Sequence, residues 1–112
     1  MVKLGFDELV ERSTAIRVKY HELELEHHGA EWTVTEDALA FLTDAALVGR
    51  LTMANQNRWP CDTDNSDELA HKLGESIWWI VVLANRMNVD IDAAVRCFLE
   101  TTEKLLEVER LE

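Results

Sequence analysis

The chain has 112 residues, with 22 acidic and 11 basic side chains and a formal net charge of −11. This acidic balance argues against a nucleic-acid backbone or an anionic membrane surface as the main partner, because both recruit basic patches. One proline and four glycines are too few turn residues for an all-β fold. Length therefore predicts a single domain over residues 1–112, and composition disfavours an all-β fold for it.

Cysteine usage and the length of the apolar runs indicate a reduced, cytoplasmic protein. Cys61 and Cys97 match no metal-binding spacing, which favours one loop thiol and one core thiol. The longest apolar run, Ile77 to Ala84, is well short of the ~20 residues that a membrane-spanning helix needs. The N-terminus carries charges where a signal peptide needs an apolar run. We therefore expect a cytoplasmic location and no membrane partner.

The first two predicted helices are amphipathic and are joined by a short loop. Over about residues 4–28, apolar side chains recur at helical spacings, which predicts a helix followed by Gly29 in the left-handed conformation. The loop contains Trp32. The sequence from Thr33 to Glu36 fits a capping box, and a second helix follows to about Asn57.

The third predicted helix is the element around which we expect the chain to be organised. Ser66 or Asn65 caps it, its first half carries one apolar edge, and its second half, Ile77 to Ala84, is apolar on every side. A helix of that kind must be covered all round. Since the neighbours within so short a chain cover about half of it, the pattern predicts that a second copy covers the rest.

A fourth helix is predicted after the break near Asn88. Asp90 is its N-cap, and it runs to about Leu106. Four helices with short connections predict a four-helix bundle, completed by oligomerisation.

Asp44 and Glu75 are carboxylates next to apolar surroundings. Asp44 interrupts the apolar face of the second helix, where it either pairs with Arg50 or Lys72 or serves as a metal ligand. Glu75 lies one turn before the all-apolar half of the third helix, so we expect it to be partly buried, and either paired or metal-bound. His71 and Glu75 form an i,i+4 pair, which leaves a two-ligand metal site as a further alternative.

Aromatic and basic side chains supply candidate ligand contacts. Trp32 is interpreted either as a lid over the core or as a stacking platform for a base. Trp78 and Trp79 are expected in the core and the interface. If Arg50 and Lys72 face the two carboxylates, they either neutralise them or contact a phosphate.

Two stretches of the chain resemble the MazG-like, all-α nucleoside triphosphate pyrophosphohydrolase superfamily. The segment from His71 to Ala94, with its Leu-Gly-Glu-Ser-Ile-Trp-Trp and Leu-Ala-Asn runs, looks like the third helix of the family and the start of the last. The segment from Leu42 to Leu51 looks like the helix with the family's first motif, Glu-x-x-Glu. The loop around Trp32 resembles the family's Trp-containing segment.

The resemblance implies a MazG-like bundle, an activity and a metal. Members of the family hydrolyse nucleoside triphosphates to monophosphate and pyrophosphate, and their four motif carboxylates bind Mg²⁺. The family's second motif, Glu-x-x-Asp, belongs to its third helix. By the resemblance, the first motif falls on Asp44 and Leu47 of this chain and the second on Lys72 and Glu75, so two of the four carboxylates are replaced. The resemblance therefore implies Asp44 and Glu75 as catalytic residues and as ligands of Mg²⁺, with Mn²⁺ as an alternative.

Two functional interpretations follow. One is an atypical, weak pyrophosphohydrolase, in which Trp32 contacts the base while Lys72 and Arg50 bind the substrate near its phosphates. The other is a degenerate family member that binds a nucleotide or a partner protein without hydrolysis. For both we expect a homodimer or homotetramer with the third helix in the interface. A purely structural bundle is a third alternative.

Overall fold

The computed structural model describes residues 2–60 and 64–109. These residues form four α-helices and no strand: α1 (Phe6–His28), α2 (Val34–Asn55), α3 (Ser66–Arg86) and α4 (Ile91–Leu105). The all-α prediction is confirmed, and each helix lies within a few residues of its predicted limits. None of the helices in the described residues is both long enough and apolar enough to cross a membrane.

Three helix ends are set by the capping residues that the sequence predicts. Gly29 has φ 74°, and its N–H donates to a carbonyl one turn back in α1; a residue with a Cβ adopts this left-handed conformation at a cost. Thr33 and Glu36 form the capping box, with hydrogen bonds of 2.9 and 3.1 Å. Asp90 Oδ1 accepts a hydrogen bond from the N–H of Ala93 at 3.0 Å.

The start of α3 is held differently from a capped helix end. Asn65 is the N-cap residue, but its side chain makes no capping bond. Its Nδ2 instead donates to the carbonyl of Leu51 on α2 at 3.0 Å. The N–H of Ser66 donates to Asp64 Oδ1 at 3.0 Å. Asn65 thus links the start of α3 to α2, and Asp64 accepts a hydrogen bond from one of the N–H groups in the first turn of α3.

α3 is the central helix of the chain. It packs most extensively along α2, less along α1 and least against α4. The buried apolar side chains of the described residues all belong to its second half: Trp79, Val81, Val82 and Ala84. The same half is not covered all round, however, because Ile77 and Ile80 remain exposed within the single chain.

Cys97 corrects one prediction about the core. It lies on α4 and is exposed, so the expectation of a core thiol is wrong. The physical reason is that α4 packs weakly in this chain, and none of its residues is buried. The predicted loop thiol, Cys61, lies outside the described residues.

Candidate functional site

Lys72 lies between the two carboxylates that the sequence pattern singles out. Its Nζ donates to Asp44 Oδ1 at 3.0 Å and to Glu75 Oε1 at 2.8 Å. The other carboxylate oxygen of Asp44 accepts a hydrogen bond from Trp79 Nε1 at 2.7 Å. Lys72, Asp44 and Glu75 are termed the Lys72 triad below. The sequence left Asp44 as a partner of Arg50, a partner of Lys72 or a metal ligand, and in the structure it pairs with Lys72.

Helical spacing explains how the Lys72 triad forms. Lys72, Glu75 and Trp79 follow one another at intervals of three and four residues, so they share one face of α3. That face packs along α2, where Asp44 is located. The hydrogen bonds to Glu75 and then to Asp44 raise the pKa of Lys72 above its ordinary value. The ammonium group therefore stays charged at neutral pH and offsets one of the two carboxylate charges.

The Lys72 triad does not fit Mg²⁺, the ion that the resemblance implies. Mg²⁺ requires octahedral oxygen ligands at about 2.1 Å, whereas here an ammonium group binds both carboxylates and repels a second cation. Within residues 2–60 and 64–109, no group of three or more His, Cys, Asp or Glu side chains is arranged to hold a metal ion. His71 Nε2 is 3.9 Å from Glu75 Oε1, the oxygen that already binds Lys72.

Arg50 shares a groove with Lys72 but makes no ion pair with Asp44 or Glu75. Its guanidinium carbon is 4.0 Å from a ring centroid of Trp59, which is a cation–π contact. Arg50, Leu47 and Lys72 line a mainly apolar groove of about 390 Å³ between α2 and the first turns of α3. The structure therefore brings Arg50 near Lys72, whereas Asp44 pairs with Lys72 and Trp79 and not with Arg50.

A cleft of about 290 Å³ opens between α1, the Trp32 loop and α3. Its wall is aromatic, because the Trp78 ring lies edge-on to the rings of Trp79 and Tyr20, with centroid distances of 4.7 and 5.9 Å. It is termed the aromatic cleft below, and it brings together Trp32 and Glu75, two of the predicted site residues. Its lining consists of Arg17, Tyr20, Leu23, Glu24, His27, His28, Trp32, Glu75, Trp78 and Trp79.

A buried ion network beside this cleft is absent from the sequence-based prediction. Arg17 on α1 donates to Glu24 at 2.7 and 3.4 Å and to Asp37 on α2 at 2.7 and 3.2 Å. Asp37 is 0% exposed and also accepts from Arg86 Nη1 on α3 at 2.7 Å. These four residues, termed the Arg17 network, carry two positive and two negative charges. Their charges balance, as burial of ionised groups requires.

Two members of the Arg17 network have shifted pKa values that keep them ionised. Burial disfavours the charged form of Arg17, but the hydrogen bonds and charges of Asp37 and Glu24 outweigh burial and raise its pKa. Burial also acts to raise the pKa of Glu24. The hydrogen bonds from Arg17 and from the N–H of Trp32 outweigh that effect and lower the pKa.

The Arg17 network also holds the loop that carries Trp32. The N–H of Trp32 donates to Glu24 Oε1 at 2.8 Å, and its carbonyl accepts from Arg86 Nη1 at 3.0 Å. Both bonds involve ionised side chains and are stronger than neutral hydrogen bonds. Trp32 is therefore placed at the aromatic cleft by charged residues of α1 and α3, while its side chain stays partly exposed.

The pairing of Arg17 with Glu24 can be recognised from the sequence. Arg17 and Glu24 are seven residues apart and share a helix face with Tyr20, which belongs to the apolar stripe of α1. A charged pair on an apolar face indicates a buried ion pair. No spacing, however, connects Arg17 with Asp37 or Arg86, because those residues lie on other helices.

Comparison with known proteins leaves the family of the chain open. No protein-family model, curated protein or solved structure matches it. The similarity to MazG-like pyrophosphohydrolases therefore depends on the residues quoted above, and membership of that family is a proposal.

Proposed function

We propose that the chain is a MazG-like helical module that binds a nucleotide in the aromatic cleft, without metal-dependent hydrolysis. One observation supports this proposal above all others: an aromatic cleft adjoins a carboxylate pair whose cation position is taken by Lys72. The aromatic side chains of the cleft can stack on the ring of a nucleobase. In the Lys72 triad, the ammonium group offsets part of the negative charge of Asp44 and Glu75, so no metal ion is needed for that purpose.

The composition of the aromatic cleft suits a nucleobase. Trp32, Trp78 and Tyr20 supply π-surfaces, and stacking of a base on such a side chain contributes about 1–3 kcal/mol. Glu75 binds Lys72 through Oε1, and its second oxygen can accept a hydrogen bond from an amino group on the base. A ring with an exocyclic amino group is therefore the ligand that this lining favours.

The charge of the protein favours a ligand with few phosphates. The chain has a formal net charge of −11, which disfavours a free triphosphate unless cations accompany it. Lys72 already neutralises part of the carboxylate pair, which removes the main reason for a divalent cation to bind there. A nucleoside or nucleoside monophosphate is therefore a better ligand than a triphosphate.

Pyrophosphohydrolase activity is the second candidate, and the position of Glu75 favours it. Glu75 belongs both to the Lys72 triad and to the lining of the aromatic cleft, so a carboxylate stands beside the proposed base site. This candidate requires additional cation ligands from another subunit. Asp44 and Glu75 would be the chain's own contribution to such a site.

Titration of the chain with nucleosides, nucleoside monophosphates and triphosphates in the presence of EDTA tests the binding proposal. Tryptophan fluorescence and calorimetry report the affinity. Trp32→Ala is expected to weaken binding by about fivefold to a hundredfold, because it removes one stacking surface. Trp59→Ala is the matched control, since Trp59 is also a partly exposed loop tryptophan but lies against Arg50, outside the aromatic cleft. Absence of binding, or equal losses in the two variants, contradicts the proposal.

Pyrophosphate release from nucleoside triphosphates separates the two candidates. With Mg²⁺ and then Mn²⁺ present, we expect no release above the uncatalysed background. Release that is abolished by EDTA and by Glu75→Ala would establish the second candidate in place of the first.

A further inference from the structure

The ion-paired side chains beside the aromatic cleft leave one negative charge uncompensated. The Arg17 network has two positive and two negative charges, so it is neutral as a unit. The Lys72 triad has two carboxylates and a single ammonium group. Because the ammonium group offsets only one of these carboxylates, the network and the triad together retain one negative charge.

Glu75 is the member of the Lys72 triad that presents this charge to the cleft. Both oxygens of Asp44 are hydrogen-bonded, one to Lys72 and one to Trp79. Glu75 contacts Lys72 and His71 through Oε1, and within the described residues its Oε2 accepts no hydrogen bond. Glu75 lines the aromatic cleft, whereas Lys72 and Asp44 do not. The Glu75 carboxylate is therefore the charge that a bound ligand would meet.

The aromatic wall of the cleft also favours a positive charge. The faces of Trp and Tyr rings have a negative electrostatic potential, which attracts cations most strongly where water is excluded. The chain already uses this attraction, because the guanidinium carbon of Arg17 lies 5.8 Å from the ring centroid of Trp79. The formal net charge of −11 adds a long-range potential that attracts cations as well.

The chain's own cations do not fill this role in the cleft. Among the described residues that line it, Arg17 is the one with a permanently positive side chain. Its donors are bound to Glu24 and Asp37. His27 and His28 also line the cleft, and both are neutral in the formal charge count. A ligand cation therefore meets aromatic rings and a carboxylate, and no unpaired ammonium or guanidinium group.

We infer that the ring bound in the aromatic cleft carries a positive charge, which makes the ligand an N-alkylated heteroaromatic cation and not a neutral base. The inference rests on the proposed function for the nucleoside part of the ligand and adds the charge of the ring. Such a ring stacks on the aromatic wall and places its charge beside Glu75 Oε2. A neutral base gains only the stacking and a hydrogen bond. N-alkylation keeps the ring charged at neutral pH, where the common bases are neutral.

Calorimetric titration of the full chain in EDTA with two isomeric nucleosides tests the inference. 1-Methyladenosine has a positively charged ring at neutral pH, whereas its isomer with the methyl group on the exocyclic nitrogen is neutral. We expect the cation to bind about fivefold to thirtyfold more tightly, which is the effect of a cation–π contact shielded from water. Equal affinities, or tighter binding of the neutral isomer, overturn the inference and leave the proposed function standing.

Glu75→Gln separates the local carboxylate from the charge of the whole chain. This variant keeps the size of the side chain and is expected to reduce the preference for the cation by about threefold or more, because a nearby opposite charge is lost. Glu68→Gln is the matched control, since it changes the net charge equally and lies on α3, but outside the aromatic cleft. Equal reductions in both variants overturn the inference. Circular dichroism shows whether both variants fold, and the wild-type comparison decides if one does not.

A pair of rings without a sugar distinguishes failure of the inference from failure of the proposed function. If neither nucleoside binds, the proposed function is wrong. The chain is then titrated with 1-methylnicotinamide, which is a cationic ring, and with nicotinamide, its neutral counterpart. Tighter binding of 1-methylnicotinamide supports a cationic ring as the ligand without a nucleoside. Equal binding, or no binding of either ring, overturns the inference as well.

Discussion

Arg17 and Lys72 each bind two carboxylates, but the two residues differ in burial and in the geometry of their hydrogen bonds. Arg17 is almost fully buried and uses the donors of its guanidinium fork on Glu24 and Asp37. A lysine could not form this pattern of paired hydrogen bonds. Lys72 is only partly buried and binds Asp44 and Glu75 through one ammonium group. We therefore assign Arg17 mainly to stability, and we propose that Lys72 balances the charge of Asp44 and Glu75 beside the proposed nucleotide site.

Arg17→Met is expected to lower the free energy of unfolding by about 3–5 kcal/mol at neutral pH, because it leaves buried carboxylates without their main partner. Urea unfolding measures the loss. Arg12→Met is the control on the same helix, since Arg12 is exposed and pairs with Glu8 at 3.0 Å. Its expected cost is below about 1 kcal/mol. Similar costs for the two variants would contradict a special role for Arg17.

The cost of Arg17→Met should also depend on pH. The pKa of Glu24 is lowered in the folded chain, so its stabilising contribution is complete above the ordinary value of 4.5 and is lost as pH falls through the folded pKa. The difference in stability between wild type and Arg17→Met should therefore shrink below pH 4.5. A difference that stays constant down to about pH 3 would be inconsistent with this linkage.

The connection between α1 and α2 combines local and tertiary determinants. Gly29 ends α1 and the Thr33–Glu36 capping box starts α2, and both are properties of neighbouring residues. Glu24 and Arg86 then bind the backbone of Trp32 between them. The local signals set the length of the loop, and the ion network sets its position at the aromatic cleft.

Thr33→Ala is expected to reduce stability by about 0.5–2 kcal/mol, because it removes the side-chain acceptor of the α2 capping box. Thr35→Ala is the matched control, since Thr35 lies in the same turn but is not the N-cap residue. Its expected effect is within about 0.5 kcal/mol. Thermal or urea unfolding of both variants tests the assignment, and an equal loss in both would show that the cap does not stabilise α2.

Association of whole chains sets apolar burial against charge repulsion. Each copy has a formal net charge of −11, so bringing two copies together is electrostatically unfavourable. Ile77 and Ile80 of α3 and Phe98 of α4 are exposed apolar side chains, and their burial on association would supply the opposing free energy. The homodimer or homotetramer that the sequence predicts should therefore respond to salt in the opposite sense to an interface held by ion pairs.

Raising the salt concentration from about 10 to about 100 mM is expected to strengthen self-association, because the screening length falls from about 30 to about 10 Å. Sedimentation equilibrium at several salt concentrations measures the change. The midpoint of thermal unfolding should also rise with protein concentration, as for any oligomer whose subunits unfold on dissociation. Weaker association at higher salt would indicate that ion pairs, and not the exposed apolar side chains of α3 and α4, hold the copies together.

The sequence by itself determined the helices, most of their ends and the central position of α3. Caps such as Gly29, Thr33 and Asp90 act within one turn, and the apolar repeat of each helix is a local pattern, so both are readable along the chain. The all-apolar second half of α3 indicated the core for the same reason. Asp44 and Glu75 stood out because carboxylates next to apolar residues need a partner.

Only the tertiary structure decided which charges meet and which apolar faces stay open. Spacing along one helix gives the direction of a side chain, but the partner on another helix depends on the crossing angle and axial offset of the two helices. If one helix were displaced along its axis by a few ångströms, Lys72 would no longer reach Asp44, or Arg17 would no longer reach Asp37. For this reason Asp44 pairs with Lys72 instead of Arg50, and the Arg17 network and the exposed face of α4 become visible only once the helices are packed.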